Sequence, residues 1–260
     1  MSSDFLICEI NNGVALVTLN RPEIHNAFND VLMQQIKTQF EALDNDDRVR
    51  VVVLTGAGKS FSAGADLNWM KSMVNLSAAE SYQDSLKLAG LFQGLNDFTK
   101  PIIGKVNGPA LGGGGGLVAI CDYVIASTKA LFGFTEVRLG LVPGVISPYV
   151  IAKIGVSQAR AWFLSGQRFN ADQALKMGLV HQVVAPEELD ASSSDVVKSF
   201  LSAGPKAAQG AKQLIRDVCK INDRQKLLEH TCKTITDFRK SEEGQEGMAA
   251  LLNKSKPSWL

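Results

Sequence analysis

Residues 101–143 read PIIGKVNGPALGGGGGLVAICDYVIASTKALFGFTEVRLGLVP, and their reading decides the fold. The stretch opens on a short apolar run at 102–106 and then carries five successive glycines, 112–116. An apolar, helix-compatible segment follows from Leu117, and a second strand-like run occupies 123–126. Glycines in succession cost conformational entropy in any regular element, so such a run persists where backbone must approach something closely. A helix beginning inside it would leave its first N–H groups without intrahelical partners. The helix dipole would add to their attraction for negative charge. The run therefore reads as a cradle for an anion or an oxyanion. Twenty residues beyond it stands Glu136, in an apolar setting that would raise its pKa.

Outward from this stretch the chain alternates strands and helices. Residues 5–10 and 14–19 are β-rich and separated by Asn11-Asn12-Gly13, which predicts a hairpin. Asn29 or Asp30 can cap a helix over 31–44, with Leu32, Ile36, Phe40 and Leu43 on one stripe. Residues 49–55 form a continuous apolar run of the buried-strand kind. The GAGKS that follows at 56–60 suggests a phosphate loop, but the glycine required five residues before Gly58 is Val53. Residues 67–95 are helical in pattern, with a capping box at Ser77-Ala78-Ala79-Glu80. Helices are expected at 145–154, 157–165 and 170–177, then a short strand at 179–184. Only helices follow, at 192–203, 205–220, 224–238 and 245–253. The expected fold class is α/β, with a body over 1–185 and a helical region over 186–260.

Composition narrows the function classes. A chain of 260 residues, 45% hydrophobic and 20% charged, suits an ordinary soluble globular protein with ample core. Its formal net charge of +1 supplies no field for nucleic acid or an anionic membrane. Cys8, Cys121, Cys219 and Cys232 form no CxxC pair, so neither a disulfide framework nor a zinc site is expected. His25, His181 and His230 are far apart in sequence, and no metal is expected. No run reaches the ~20 apolar residues that span a bilayer, and the start lacks a secretory pattern. The expected location is cytoplasmic. Ser62 and Ser147 lack a nucleophile-elbow pattern, which argues against a Ser–His hydrolase.

Three stretches taken together, FSAGADL (61–67), GPALGGGGGL (108–117) and FGFTEVRLGLVP (132–143), resemble the enoyl-CoA hydratase/isomerase, or crotonase, superfamily. The resemblance covers nearly the whole chain. It implies a spiral of ββα units and a C-terminal helical region that builds trimers or dimers of trimers. It also implies a CoA thioester as substrate, no permanently bound cofactor, and an enolate held by two backbone N–H groups. Those donors fall on Ala63 and Gly113, and the acid on Glu136. Gly144 N–H matches a water-holding position. The strip Ser62, Ala63, Gly64, Ala65, Asp66 and Leu67 would lie along the substrate, with Ile24 near the adenine of CoA. Lys254 would reach CoA from a neighbouring subunit, although it also fits a solvated basic tail; Asp66 also fits a helix cap.

The chain departs from the family's two-acid pattern. The first glutamate position falls on Gly116, so only Glu136 remains. One carboxyl can serve hydration or a double-bond shift. The segment AGADLNWM at 63–70 and Val145-Ile146-Ser147-Pro148-Tyr149 resemble the branch acting on methylglutaconyl-CoA and related branched acyl groups. The expected reaction is therefore hydration of a branched enoyl-CoA, with Trp69, Met70, Met73, Leu88 and Phe92 as candidate pocket walls. The rivals are a Δ3,Δ2-enoyl-CoA isomerase, a dinucleotide-binding protein and a non-catalytic CoA- or RNA-binding protein of the same fold.

Overall fold

The structure, a computed structural model, describes residues 5–260. It begins with the antiparallel hairpin of β1 (Leu6–Asn11) and β2 (Val14–Leu19). Asn12 and Gly13 both have positive φ (48° and 82°), the backbone that a two-residue hairpin turn requires. Next come α1 (Asp30–Asp44), capped by Asn29, and β3 (Val51–Gly56). Helices α2 (Leu67–Met73) and α3 (Ala78–Asp97) follow, the second opened by the Ser77–Glu80 capping box. After β4 (Ile102–Val106) and the two-residue β5 (Ala110–Leu111), α4 (Gly113–Ile120) begins inside the glycine run.

The chain continues through β6 (Tyr123–Ser127), β7 (Leu131–Gly133) and α5 (Ser147–Ser165). Then come β8 (Arg168–Asn170), α6 (Ala171–Lys176) and β9 (Gln182–Val184). Four helices close the chain: α7 (Leu189–Leu201), α8 (Pro205–Val218), α9 (Arg224–Lys240) and α10 (Glu242–Leu252). No helix among the described residues is long and apolar enough to cross a membrane.

Six strands form the main sheet in the order β1-β2-β3-β4-β6-β9, parallel from β2 onward. Every residue of β3 is buried, and its side chains alternate between two cores. Val52 and Leu54 join the large core under α1, α3 and α4, while Val51 and Val53 join a smaller one with Ile103, Ile125 and Leu189. Leu189 belongs to α7, so α7 covers the second face of the sheet. Residue 185 therefore marks where strands cease, not where packing breaks.

A second layer of short strands lies outside the main sheet. Here β5, β7 and β8 form a small sheet, extended by parallel bridges of Ser62 to Ala110 and of Ala65 to Phe28. Each main strand from β2 to β6 is thus followed by a short extended piece in the second layer and then by a helix. This is a ββα spiral of successive turns, as expected. The short pieces were not expected, because two or three residues show no period-2 pattern. The two helices expected at 145–154 and 157–165 are the two halves of α5, separated by the non-helical Gly155 (φ 74°, ψ 163°). The strand expected at 179–184 shrinks to 182–184, while Leu179 and Val180 are buried ahead of it.

Candidate active site

Three successive turns of the spiral bring their second-layer pieces side by side: residues 62–66, residues 110–113, and β7 with the turn beyond it. In the first strip, Phe28 N–H donates to Gly64 O (2.6 Å) and Phe28 O accepts from Asp66 N–H (2.8 Å). In an extended strip the residue between those two points its own amide to the opposite side. That residue is Ala65. It is exposed, and among the described residues no group accepts from its N–H. On that opposite side runs the second strip, where Leu111 N–H donates to Ser62 O (2.9 Å). A Cβ on Gly64 would stand 3.5 Å from Gly113 N, which fixes how close the strips lie.

Gly113 is the first residue of α4, so its N–H has no intrahelical acceptor, and no other described group accepts from it. Gly112 before it takes φ 50° and ψ −119°, a backbone open to glycine, and its N–H donates to Gly133 O (2.9 Å). Gly114 has no room for a side chain, because a Cβ there would collide with Ser62 O. The glycines thus let the helix start hard against the first strip.

The third piece supplies the acid. Glu136 opens a 3-10 turn (Glu136–Leu139), and its Oε1 lies 3.3 Å from where a Gly112 Cβ would be. The carboxyl is largely withdrawn from water, and its Oε2 is buried without a hydrogen-bond partner. Burial pushes its pKa up, and its own backbone N–H opposes that in part. The alternative of an ion pair with Arg138 does not occur: the described ion pairs include none at Glu136.

The far end of the glycine run is closed. A Cβ on Gly116 would overlap Ile146 Cγ2 and lie 2.7 Å from Phe92 Cε1. Phe92 is fully buried and stacks on Tyr149 at 6.0 Å between ring centroids. The place of a second acid is therefore filled by hydrocarbon. Two free N–H donors and one underprotected carboxyl remain, a set able to hold negative charge on a carbonyl oxygen while moving one proton.

The enoyl-CoA hydratase/isomerase family model matches residues 9–260. The chain belongs to that family. It is 34% identical to a short-chain-enoyl-CoA hydratase of Clostridium acetobutylicum over 258 residues, covering 98% of this chain and 97% of that one. It is likewise 34% identical to the 2,3-dehydroadipyl-CoA hydratase of Escherichia coli over 255 residues, covering 98% of each. The crystal structure of an enoyl-CoA hydratase from Shewanella pealeana superposes with a TM-score of 0.95 at 37% identity, covering 99% of this chain and 97% of that one. The fold is that of the crotonases, and both of these relatives, matched along nearly the whole length, are named as hydratases.

Within this family frame several expected site residues change places. Ala63 is not a free donor, since its N–H goes to His25 O at 2.9 Å. The reason is alternation: a shift of two residues along the strip leads from the bonded amide to the free one at Ala65. Ser62 is fully buried and its Oγ donates to Asn26 O (2.9 Å), so its side chain is structural and not a substrate contact. Gly64 is buried at φ 87°, with its carbonyl taken by Phe28. Asp66 caps α2 through Asn68 N–H (2.7 Å) and pairs with Arg21 (3.0 Å). Its carboxyl is thus engaged in holding the scaffold. Gly144 N–H donates to Val142 O (2.7 Å), so the amide expected to hold water is used inside its own turn.

The remaining positions are open. Leu67 is 73% exposed beside Ala65, and Ile24 is half-buried in the 3-10 turn Pro22–Ile24. Lys254 is exposed just past α10, at φ 53°. Of the candidate walls, Trp69 and Met73 line a hollow of about 480 Å³ between α2 and α3, whereas Phe92 backs Gly116. His181 accepts Val124 N–H (2.9 Å) and stacks on Tyr123, a structural role. Sequence reasoning missed Ile146 as the plug at Gly116 and Asn26 beneath the first strip. The Asn20-Arg21-Pro22 turn ahead of Asn26 was the available signal.

Proposed function

We propose that this family enzyme adds water across the double bond of a branched enoyl-CoA of the 3-methylglutaconyl kind. The thioester oxygen would take N–H bonds from Ala65 and Gly113. Glu136 accepts a proton from water as the water oxygen bonds to the β-carbon. The resulting enolate is held at the two donors, and Glu136 returns the proton to the α-carbon. Each donor of this type is worth about 3–4 kcal/mol at the transition state. The observation that carries the reading is the starved Glu136 oxygen beside Gly112, with Ile146 and Phe92 where another acid would stand. Relatives named as hydratases support water addition, and a relative named for a dehydroadipyl thioester supports carboxylated acyl groups as candidates.

The filled position at Gly116 also favours a second reading, a Δ3,Δ2-enoyl-CoA isomerase, because a double-bond shift needs one shuttle. An assay of the purified protein and Glu136→Gln with 3-methylglutaconyl-CoA, crotonyl-CoA and a 3-enoyl-CoA decides. Hydration of the first, lost in the variant, supports the hydratase; turnover of the 3-enoyl thioester alone supports the isomerase. No reaction and no binding would overturn both.

The proposal includes a homo-trimer or a dimer of trimers in the cytoplasm. Leu139, Leu141 and Val142 beside Glu136, and Leu251 and Leu252 in α10, are all more than half exposed, which is much apolar surface to leave in water. Light scattering that gives the mass of one protomer would remove that part.

A further inference from the structure

We propose that the loop at 21–28 is a clasp that sets the direction of the Ala65 amide, with Asn26 as its positioning residue. The inference rests on the assignment of Ala65 as an oxyanion donor. Asn26 is wholly buried, in a left-handed backbone (φ 56°), and three of its side-chain bonds are made. Its Oδ1 accepts Arg21 N–H (2.8 Å), and its Nδ2 donates to Ala57 O (2.9 Å) and Ser60 O (2.8 Å). Its carbonyl accepts the Ser62 hydroxyl (2.9 Å). The fit is close enough that a Cβ on Gly56 would lie 2.8 Å from Nδ2.

The neighbours of Asn26 complete the grip. His25 O takes Ala63 N–H, and His25 Nδ1 lies 2.9 Å from Ser60 Oγ. Phe28 holds Gly64 and Asp66 through its own amide and carbonyl. The Arg21 guanidinium spans Ala27 O (2.8 Å) and Asp66 (3.0 Å). Between Ser60 and Asp66, the loop fastens Ser60, Ser62, Ala63, Gly64 and Asp66, and leaves Ala65 turned away. A donor aimed by its neighbours in this way needs no reorganisation when charge develops, which is the condition for strong oxyanion stabilisation.

The test uses a conjugated dienoyl-CoA, whose absorption shifts to the red when its carbonyl is polarised, with Asn26→Ala and the parent protein. The expected result is dienoyl-CoA binding within about threefold of the parent, a lost red shift, and kcat down by about 100-fold, as for loss of one donor. A retained shift with unchanged kcat overturns the clasp. Should Asn26→Ala not fold, Ser62→Ala carries the test by removing one bond to Asn26, and there a partial loss of shift is expected and a full shift overturns. If the parent protein itself gives no shift, the oxyanion assignment fails, and not the clasp alone.

Discussion

Asp66, at the start of α2, and Glu136, at the start of the turn after β7, are both carboxylates largely withdrawn from water. One is saturated with partners and the other is deprived of them. Burial alone would raise Asp66, but Asn68 N–H and the Arg21 guanidinium hold it below the ordinary aspartate value. Glu136 has only its own backbone N–H to offset burial, so burial raises it. The same physical penalty is thus offset in one region and left standing in the other. The region that satisfies its charge serves the scaffold, and the one that does not holds a carboxyl whose pKa is raised, the condition a proton carrier needs.

The largest test of that contrast is Glu136→Gln. Turnover of an enoyl-CoA should fall by about 10³-fold, in the range for loss of a general acid–base, while thioester binding stays. Steady-state kinetics beside a binding titration check this. A fall below tenfold would mean that the starved carboxyl is not the proton carrier.

Asp66→Ala should act on stability instead. It strands the buried Arg21 charge, which costs about 3 kcal/mol or more, read from urea denaturation. The pH dependence has a definite sign. Asp66 is lowered in the folded protein, so its contribution is present above the unfolded aspartate pKa and lost as pH falls through the folded value. An Asp66→Ala protein as stable as the parent at neutral pH would break the comparison.

Gly116→Glu should not create a second working acid. It drives a side chain into Ile146 and Phe92 and should cost about 2 kcal/mol, with Ile146→Ala in the same chain restoring part. Undiminished stability would show that the wall yields.

The smallest effect is on stability at Glu136 itself. Its folded pKa is raised, so stability is lost as pH rises from the unfolded glutamate pKa through the folded one, and Glu136→Gln should be slightly more stable than the parent at neutral pH. The gain should vanish below the unfolded glutamate pKa of about 4.3. The acidic limb of kcat/KM, which reports the free enzyme, should accordingly lie above that value.

Much of this was legible in the residues. The hairpin at Asn12-Gly13, the caps at Asn29 and Ser77, and a helix starting within the glycines all follow from local backbone chemistry. The short strands β5, β7 and β8 were not, because each exists only by pairing with distant chain. Nor was the choice between Ala63 and Ala65. Both are alanines beside a glycine, and which amide is free depends on which partners flank the strip: His25 and Phe28 on one side, Leu111 on the other.

The sequence by itself determined that a helix starts within a glycine run and that Gly116 carries no second acid, since the absence of side chains is a property of the residues. Tertiary structure decided which N–H groups are left over and whether the acid finds a partner. The physical reason is that hydrogen bonds are exclusive. An amide is available to a substrate only if no neighbour in the fold has taken it, and Ala63 and Gly144 are taken while Ala65 and Gly113 are not.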